Sequence, residues 1–139
     1  MIEYGANPDK VRKQLELEII VDYLITNRDR HESNIAFLRN SDTLKIIGMA
    51  PIFDSGSSES MEKLRPYGVI GTSINSIFKC EDEALAVVRN VNILDFSKLP
   101  EDRWIKEKLG INSLNTDSWK LTIYQLYKAK IEYLRHGLI

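Results

Sequence analysis

The first long apolar segment of the chain has the spacing of an α-helix. Its apolar residues recur three or four positions apart: Val11, Leu15, Ile19 and Ile20. The Asn-Pro-Asp at 7–9 is typical of a helix start, with an N-cap, a proline at the first helical position and an acid in the first turn. From 19 to 25 only Asp22 interrupts the apolar residues. A helix that is apolar on every side is buried, so the pattern predicts a central helix from residue 8 to about Thr26.

Two short apolar runs follow, at 35–38 (Ile-Ala-Phe-Leu) and 44–47 (Leu-Lys-Ile-Ile), and five polar residues separate them. Two such runs joined by a short polar turn are typical of a β-hairpin. We therefore expect a hairpin over 35–48, entered by the polar loop 27–34 and left by the loop 50–57. The two ends of a hairpin lie side by side, so polar groups from both loops should meet.

The C-terminal part, 81–137, is predicted to be helical. A helix starting at Glu81 should direct five apolar residues toward a core: Ala84, Leu85, Val87, Val88 and Val91. A short helix over 101–109 should stop at Gly110, and a last long helix, capped by Asn115 or Thr116, should end near Gly137. Its core face should comprise Trp119, Ile123, Leu126, Tyr127, Ile131 and Leu134. The pattern as a whole predicts a single domain over 1–139 that is mainly α with one small β-hairpin.

Composition narrows the function classes. The chain has 139 residues, enough for one hydrophobic core, and a net charge of −1. It therefore presents no overall basic surface, and we do not expect direct nucleic-acid binding. The single cysteine, Cys80, excludes an internal disulfide and suits a reducing compartment. No stretch has the length and apolarity of a membrane span, and Met1 does not open a signal peptide. We expect a cytoplasmic protein that does not contact a membrane.

The loops flanking the hairpin carry groups suited to phosphoryl transfer. Asp29 and Asn34 stand five residues apart, and Asp54 follows twenty residues later, ahead of Gly56. This reaction needs a carboxylate near the acceptor hydroxyl and oxygen ligands that hold Mg²⁺ against the phosphates. Kinase catalytic loops use the same five-residue spacing, followed by a second acid after a hairpin. An Asp and an Asn in a polar loop are also typical of turns and caps. It is the combination of this pair with the hairpin and the second acid that favours a phosphoryl-transfer site.

Other polar residues near this loop have more than one interpretation. Asp22 lies in a buried helix and needs a partner, which could be Arg28, Arg30 or the backbone amides of the loop. His31 could act as a general base, but a hydrogen-bonded brace is the favoured interpretation. Each of the two arginines could contact phosphate or remain solvated.

Two motifs together resemble those of a known family. Asn-x-Asp-x-His-x-x-Asn at 27–34 and Ala-Pro-x-Phe-Asp-x-Gly-Ser at 50–57 resemble the C-terminal lobe of the HipA-type serine/threonine kinases, in a bacterial and phage-like branch. The likeness is specific over residues 15–58.

The resemblance implies a protein-kinase-like C-lobe (a HipA-like C-terminal domain). It implies that Asp29 is the catalytic base and that Asn34 and Asp54 bind Mg²⁺, with ATP as phosphoryl donor. Asn27 and His31 would support the catalytic loop.

Kinases also need a smaller N-terminal lobe, which carries a glycine-rich loop and a strand lysine that hold the phosphates. Neither feature occurs in this sequence, and the residues before Asp29 mostly form one predicted helix. The chain therefore resembles the catalytic C-lobe, or a fragment, of a kinase that is inactive alone. The implied partners are a missing N-lobe, a protein substrate and an antitoxin-like protein.

The alternative is a non-enzymatic, pseudokinase-like interaction module of the toxin–antitoxin or phage-related kind. A lobe without its partner exposes an apolar face, and such a face binds another protein or drives homo-oligomerisation.

Overall fold

The structure is a computed structural model that describes residues 4–55, 74, 76–112, 114 and 117–136. It is mainly helical with one antiparallel hairpin, as predicted. Its elements are the helices α1 (Pro8–Ile25), α2 (Glu81–Ala86), α3 (Asp102–Leu109) and α4 (Ser118–His136), the strands β1 (Phe37–Arg39) and β2 (Ile46–Met49), and 3-10 turns at Glu32–Asn34, Val91–Ile93 and Phe96–Lys98. Within these ranges no helix combines the length and apolarity needed to cross a membrane.

Helix α1 begins and ends where the sequence predicts. The Asn7 Oδ1 accepts from the Lys10 amide at 3.0 Å, and Pro8 occupies the first helical position. The helix ends before Thr26, whose φ of 56° places it in the left-handed region. The expectation that its apolar part is buried on every side is wrong for Ile25, which is 39% exposed. Only the face toward α2 and α4 lies in the core.

The core forms where α1, α2 and α4 meet. Its buried apolar members are Ile20, Tyr23, Leu24, Leu85, Ile131 and Leu134. Ile93 and Phe96, which follow α2 in the chain, pack against this cluster. Helix α1 contributes half of the buried members, which confirms its predicted central position.

A lysine crosses this core. Lys130 is fully buried, and its Nζ donates to Glu81 Oε1 at 2.6 Å, to the Tyr23 carbonyl at 2.7 Å and to Thr26 Oγ1 at 3.1 Å. Burial lowers the pKa of Lys130, and the Glu81 carboxylate opposes that shift. The contact joins the C-terminus of α1 to the start of α2 through α4. Thr26, one of its acceptors, directly precedes the loop that begins at Asn27.

The strands of the hairpin lie one to two residues later than predicted. Leu44, expected in the second strand, has a φ of 56° and cannot be extended. The side chain of Asn40 explains the shift, because its Oδ1 accepts from the Asp42 and Thr43 amides and from Thr43 Oγ1. This local bonding lengthens the turn, so pairing begins only at Arg39 and Ile46.

Two predictions for the C-terminal helices need correction. Helix α2 ends at Ala86, so Val87 is 41% exposed rather than in the core. Val91 lies in a 3-10 turn instead of the helix, but it packs against the core as predicted, and so does Val88. The β-branched pair at 87 and 88 is a poor helix former, and the Asn90 side chain caps the following turn. Trp119, predicted on the core face of α4, is 40% exposed because it lies in the first turn, beyond the core. The proposed caps at 115 and 116 lie outside the described residues.

Helix α3 ends at Gly110, as predicted, with the glycine in the left-handed region at φ 66°. One acid attaches this helix to α4. Asp102 accepts from the Tyr124 hydroxyl at 2.9 Å and from Lys128 Nζ at 2.8 Å. The hydrogen bond from Lys128, followed by that from Tyr124, lowers the pKa of Asp102 from its ordinary value of 3.8.

The attachment of α3 should therefore weaken in acid. A carboxyl whose folded-state pKa is lowered stabilises the fold above its unfolded value, and this stabilisation is lost as pH falls through the folded-state pKa. We expect NMR titration to give Asp102 a pKa below 3.8. Lys128→Met should return the pKa of Asp102 toward that value, since it removes the hydrogen bond that lowers this pKa most. A wild-type pKa at or above the ordinary value would contradict this contact.

Candidate functional site

Arg30 is the centre of the candidate site. Its Nε and Nη2 donate to the two oxygens of Asp22, at 2.8 and 2.9 Å. Its Nη1 donates to the carbonyls of Asn34 at 3.1 Å and Phe53 at 2.6 Å, and Nη2 also donates to Ser55 Oγ at 3.1 Å. These contacts use as many donors as a guanidinium has. One side chain thus joins helix α1, the loop before the hairpin and the loop after it.

Two buried acids of α1 hold this guanidinium. Asp22 forms the close bidentate pair, and Glu18 Oε1 lies 3.4 Å from Arg30 Nε. All three side chains are at most 10% exposed. The hydrogen bonds from Arg30 to Asp22 raise the pKa of the arginine, and the charges of Glu18 and Asp54 add to this effect. Burial raises the pKa of Glu18, while the charge of Arg30 opposes that shift. Asp22 was expected to need a partner, and of the partners considered the structure shows Arg30.

Internal hydrogen bonds shape the loop over 27–34. Buried Asn27 donates through Nδ2 to Asp22 Oδ1 at 2.9 Å, and its Oδ1 accepts from the Asp29 amide at 3.3 Å. Asn34, also buried, donates through Nδ2 to the Asp29 carbonyl at 3.0 Å. This bond sets the orientation of the Asn34 amide and leaves its oxygen as the end that can bind a ligand. Asn27 thus connects α1 to the loop, and its support of a catalytic loop stays a prediction.

Asp54 lies on the exposed loop after the hairpin, in an unusual backbone conformation. Its φ is 52°, in the left-handed region, which aspartate tolerates better than most residues. The preceding carbonyl, that of Phe53, is held by Arg30, so the position of Asp54 depends on the same guanidinium. Gly56 and Ser57, which end the second motif, lie outside the described residues.

The structure brings some predicted site residues together and separates others. Asn34 and the residue before Asp54 bond the same nitrogen of Arg30, so the two proposed metal-binding loops are adjacent. His31 accepts from the Asn34 amide through its carbonyl at 2.9 Å, at the start of the 3-10 turn. Arg28 instead lines a cavity between α1, α3 and α4. The donors of Arg30 are used for protein acceptors, which favours a bracing role over phosphate contact.

The donor chemistry of the two loops fits Mg²⁺. An amide oxygen from Asn34 and a carboxylate from Asp54 are hard ligands, and Mg²⁺ keeps several waters alongside such a pair. Asp22 and Glu18 balance the charge of Arg30, so the guanidinium does not impose an uncompensated positive charge on a nearby cation. In the described part of the chain no three His, Cys, Asp or Glu side chains group to hold a metal. A cation here would take few protein ligands.

Two members of this arrangement escape notice in the sequence. Glu18 precedes Asp22 by four residues, so both acids lie on the same helix face and can meet one cation. That spacing could have identified Glu18. Ser55 has no comparable signal, because its contact with Arg30 spans 25 residues and depends on the path of the hairpin.

Comparison of the chain with protein-family models, with curated proteins and with solved structures finds no match. The resemblance to HipA-type kinases is therefore carried by the two motifs around the hairpin.

Proposed function

We propose that the chain is the C-terminal catalytic lobe, or a fragment, of a HipA-like serine/threonine kinase with a protein-kinase-like C-lobe fold. One observation carries the proposal. The guanidinium of Arg30 binds the carbonyls of Asn34 and Phe53, so the loop with Asp29 and Asn34 lies beside the loop with Asp54. These are the loops whose motifs resemble the family.

Each residue has a defined role in the proposed reaction. The Asp29 carboxylate accepts the proton of a serine or threonine hydroxyl as the hydroxyl oxygen bonds to the γ-phosphorus of ATP, and ADP leaves. Asn34 and Asp54 would hold Mg²⁺, which neutralises charge on the phosphates. Asp22, Asn27 and the Arg30 guanidinium keep the loops in position and touch none of the reacting groups.

Catalysis would require a second lobe that binds the phosphates. We expect the isolated chain to bind MgATP very weakly and to show no measurable turnover. Calorimetric titration with MgATP, alone and after addition of a candidate N-lobe, tests this expectation. Phosphorylation of a protein substrate should appear only in the mixture. Tight ATP binding by the chain alone would contradict the half-enzyme proposal.

Substitutions in the reconstituted mixture should separate the roles. Asp29→Asn should reduce turnover by on the order of 10²- to 10⁴-fold while leaving nucleotide affinity nearly unchanged, since it removes only the base. Asp54→Asn should raise the Mg²⁺ concentration needed for activity. Asp42→Asn, in the exposed hairpin turn, is the matched control. Full activity of the Asp29→Asn protein would remove the catalytic assignment.

A second candidate is the interaction module, and exposed apolar side chains favour it. Leu38, Leu44 and Ile47 on the hairpin are 46%, 60% and 66% exposed. They belong to the hairpin whose two ends carry the candidate site, and a second lobe or another protein would cover them. If the cellular function survives combined replacement of Asp29 and Asp54 by Asn, the interaction module is correct and the catalytic proposal fails.

A further inference from the structure

A cavity of about 450 Å³ lies between α1, α3 and α4, on the side of α1 away from the hairpin. Apolar and aromatic side chains from all three helices form its walls, among them Ile25, Trp104, Ile105, Ile123 and Tyr127. Its size is within the range of sites that bury small organic molecules, about 300–1,000 Å³. Ile25, the exposed apolar residue of α1, lies in the wall of this cavity.

The charged groups that line this cavity have one sign. Among the described residues they are Arg28 and Lys108, and no acid lines it. The cavity of about 470 Å³ on the opposite side of α1 differs, because it is lined by acids as well as arginines, including the paired Asp22 and Arg30. Asp102, the acid that binds α3 to α4, already accepts from Tyr124 and Lys128. The cavity between α1, α3 and α4 therefore combines apolar walls with cationic groups.

We propose that this cavity binds a small amphiphilic carboxylate, such as a medium-chain fatty acid. The aliphatic tail would lie along Ile25, Ile105 and Ile123, where each methylene leaves water for an apolar wall. The carboxylate would face Lys108, whose ammonium lies 5.7 Å from the centre of the Trp104 ring, because a charge-assisted hydrogen bond to an ammonium group is stronger than one to a neutral donor. Trp104 would cover the tail. Because the charged groups that line the cavity are cationic, a cationic amphiphile is not its preferred occupant.

Trp104 lines the cavity and can report binding. In the full chain carrying Trp119→Phe it is the single tryptophan, so its fluorescence follows the site. We expect decanoate, kept below its micelle concentration, to change this fluorescence and to bind about tenfold more tightly than decanol, a difference of about 1.4 kcal/mol. Decyltrimethylammonium should bind more weakly than decanol. Equal affinity for the three probes, or no binding of decanoate, overturns the proposal.

Substitution at Lys108 tests the charged end. Lys108→Gln should weaken decanoate binding about five- to tenfold and leave decanol binding unchanged, and Lys108→Arg should restore the preference. Lys98→Gln, an exposed lysine outside the cavity, is the matched control and should change neither. Loss of both probes' affinity in Lys98→Gln would overturn the assignment of the site.

A membrane lipid could supply the same anionic amphiphile, so a vesicle assay distinguishes the source. Decanoate should bind the chain in solution, and phosphatidylglycerol vesicles should not sediment it. Sedimentation with vesicles that decanoate fails to reduce would overturn the proposal in favour of a lipid surface. These measurements use no nucleotide, so their outcome does not depend on whether the kinase proposal is correct.

Discussion

Lys130→Met is expected to lower the free energy of unfolding by about 3–5 kcal/mol, because it leaves the buried Glu81 carboxylate without its cation. Glu81 is 3% exposed, and its second oxygen, Oε2, already lacks a hydrogen-bond partner among the described residues. The substitution also removes the donor to the last turn of α1. Urea unfolding followed by far-UV circular dichroism measures the loss.

Two further variants make this prediction specific. The double variant Lys130→Met/Glu81→Met should recover most of the lost stability, since replacing both members of a buried pair by apolar groups is often neutral. Lys128→Met, on the same helix, breaks only a half-exposed pair and should cost much less than Lys130→Met. A double variant as unstable as the single one would show that the Lys130–Glu81 pair does not dominate.

Arg30→Met is expected to cost about 3–5 kcal/mol as well, because two buried acids, Asp22 and Glu18, then lose their cation. The loops before and after the hairpin would also lose their common donor. Amide chemical shifts of Phe53 and Ser55 should therefore change together with the stability, which is measured by urea unfolding.

The conservative variant separates charge from geometry. Arg30→Lys keeps the charge but not the planar fork that binds Asp22 through two nitrogens, so an intermediate loss is expected. Arg103→Met, on the exposed surface of α3, is the matched control and should change stability by no more than about 0.5 kcal/mol. Wild-type stability in Arg30→Met would mean that Asp22 and Glu18 need no cation.

Local signals in the sequence predicted the ends of several elements. Asn7 and Pro8 set the start of α1, and Gly110 ends α3, because each satisfies a backbone requirement within one turn of its own position. The need of Asp22 for a partner was also evident, since an acid in an apolar helix must be compensated. The sequence did not show whether Arg28 or Arg30 would be that partner.

Side-chain hydrogen bonds within the turn made the ends of the hairpin strands hard to predict. The bonds of Asn40 lengthened the turn and placed Leu44 in the left-handed region, and a period-two pattern contains no information on such a turn. The exposure of Val87 has a similar origin, because helical spacing persisted in the sequence after α2 itself had ended.

The sequence by itself determined a mainly helical chain with one hairpin, and it determined which polar residues stand at the two ends of that hairpin. Only the tertiary structure decided that Arg30 would hold both ends, that Lys130 would meet Glu81 across 49 residues, and that one side of α1 would face a mainly apolar cavity. The physical reason is the distance along the chain over which each kind of contact is made. Caps and turns are satisfied by neighbours a few residues away, whereas the partner of a buried charge is selected by how distant segments pack around it.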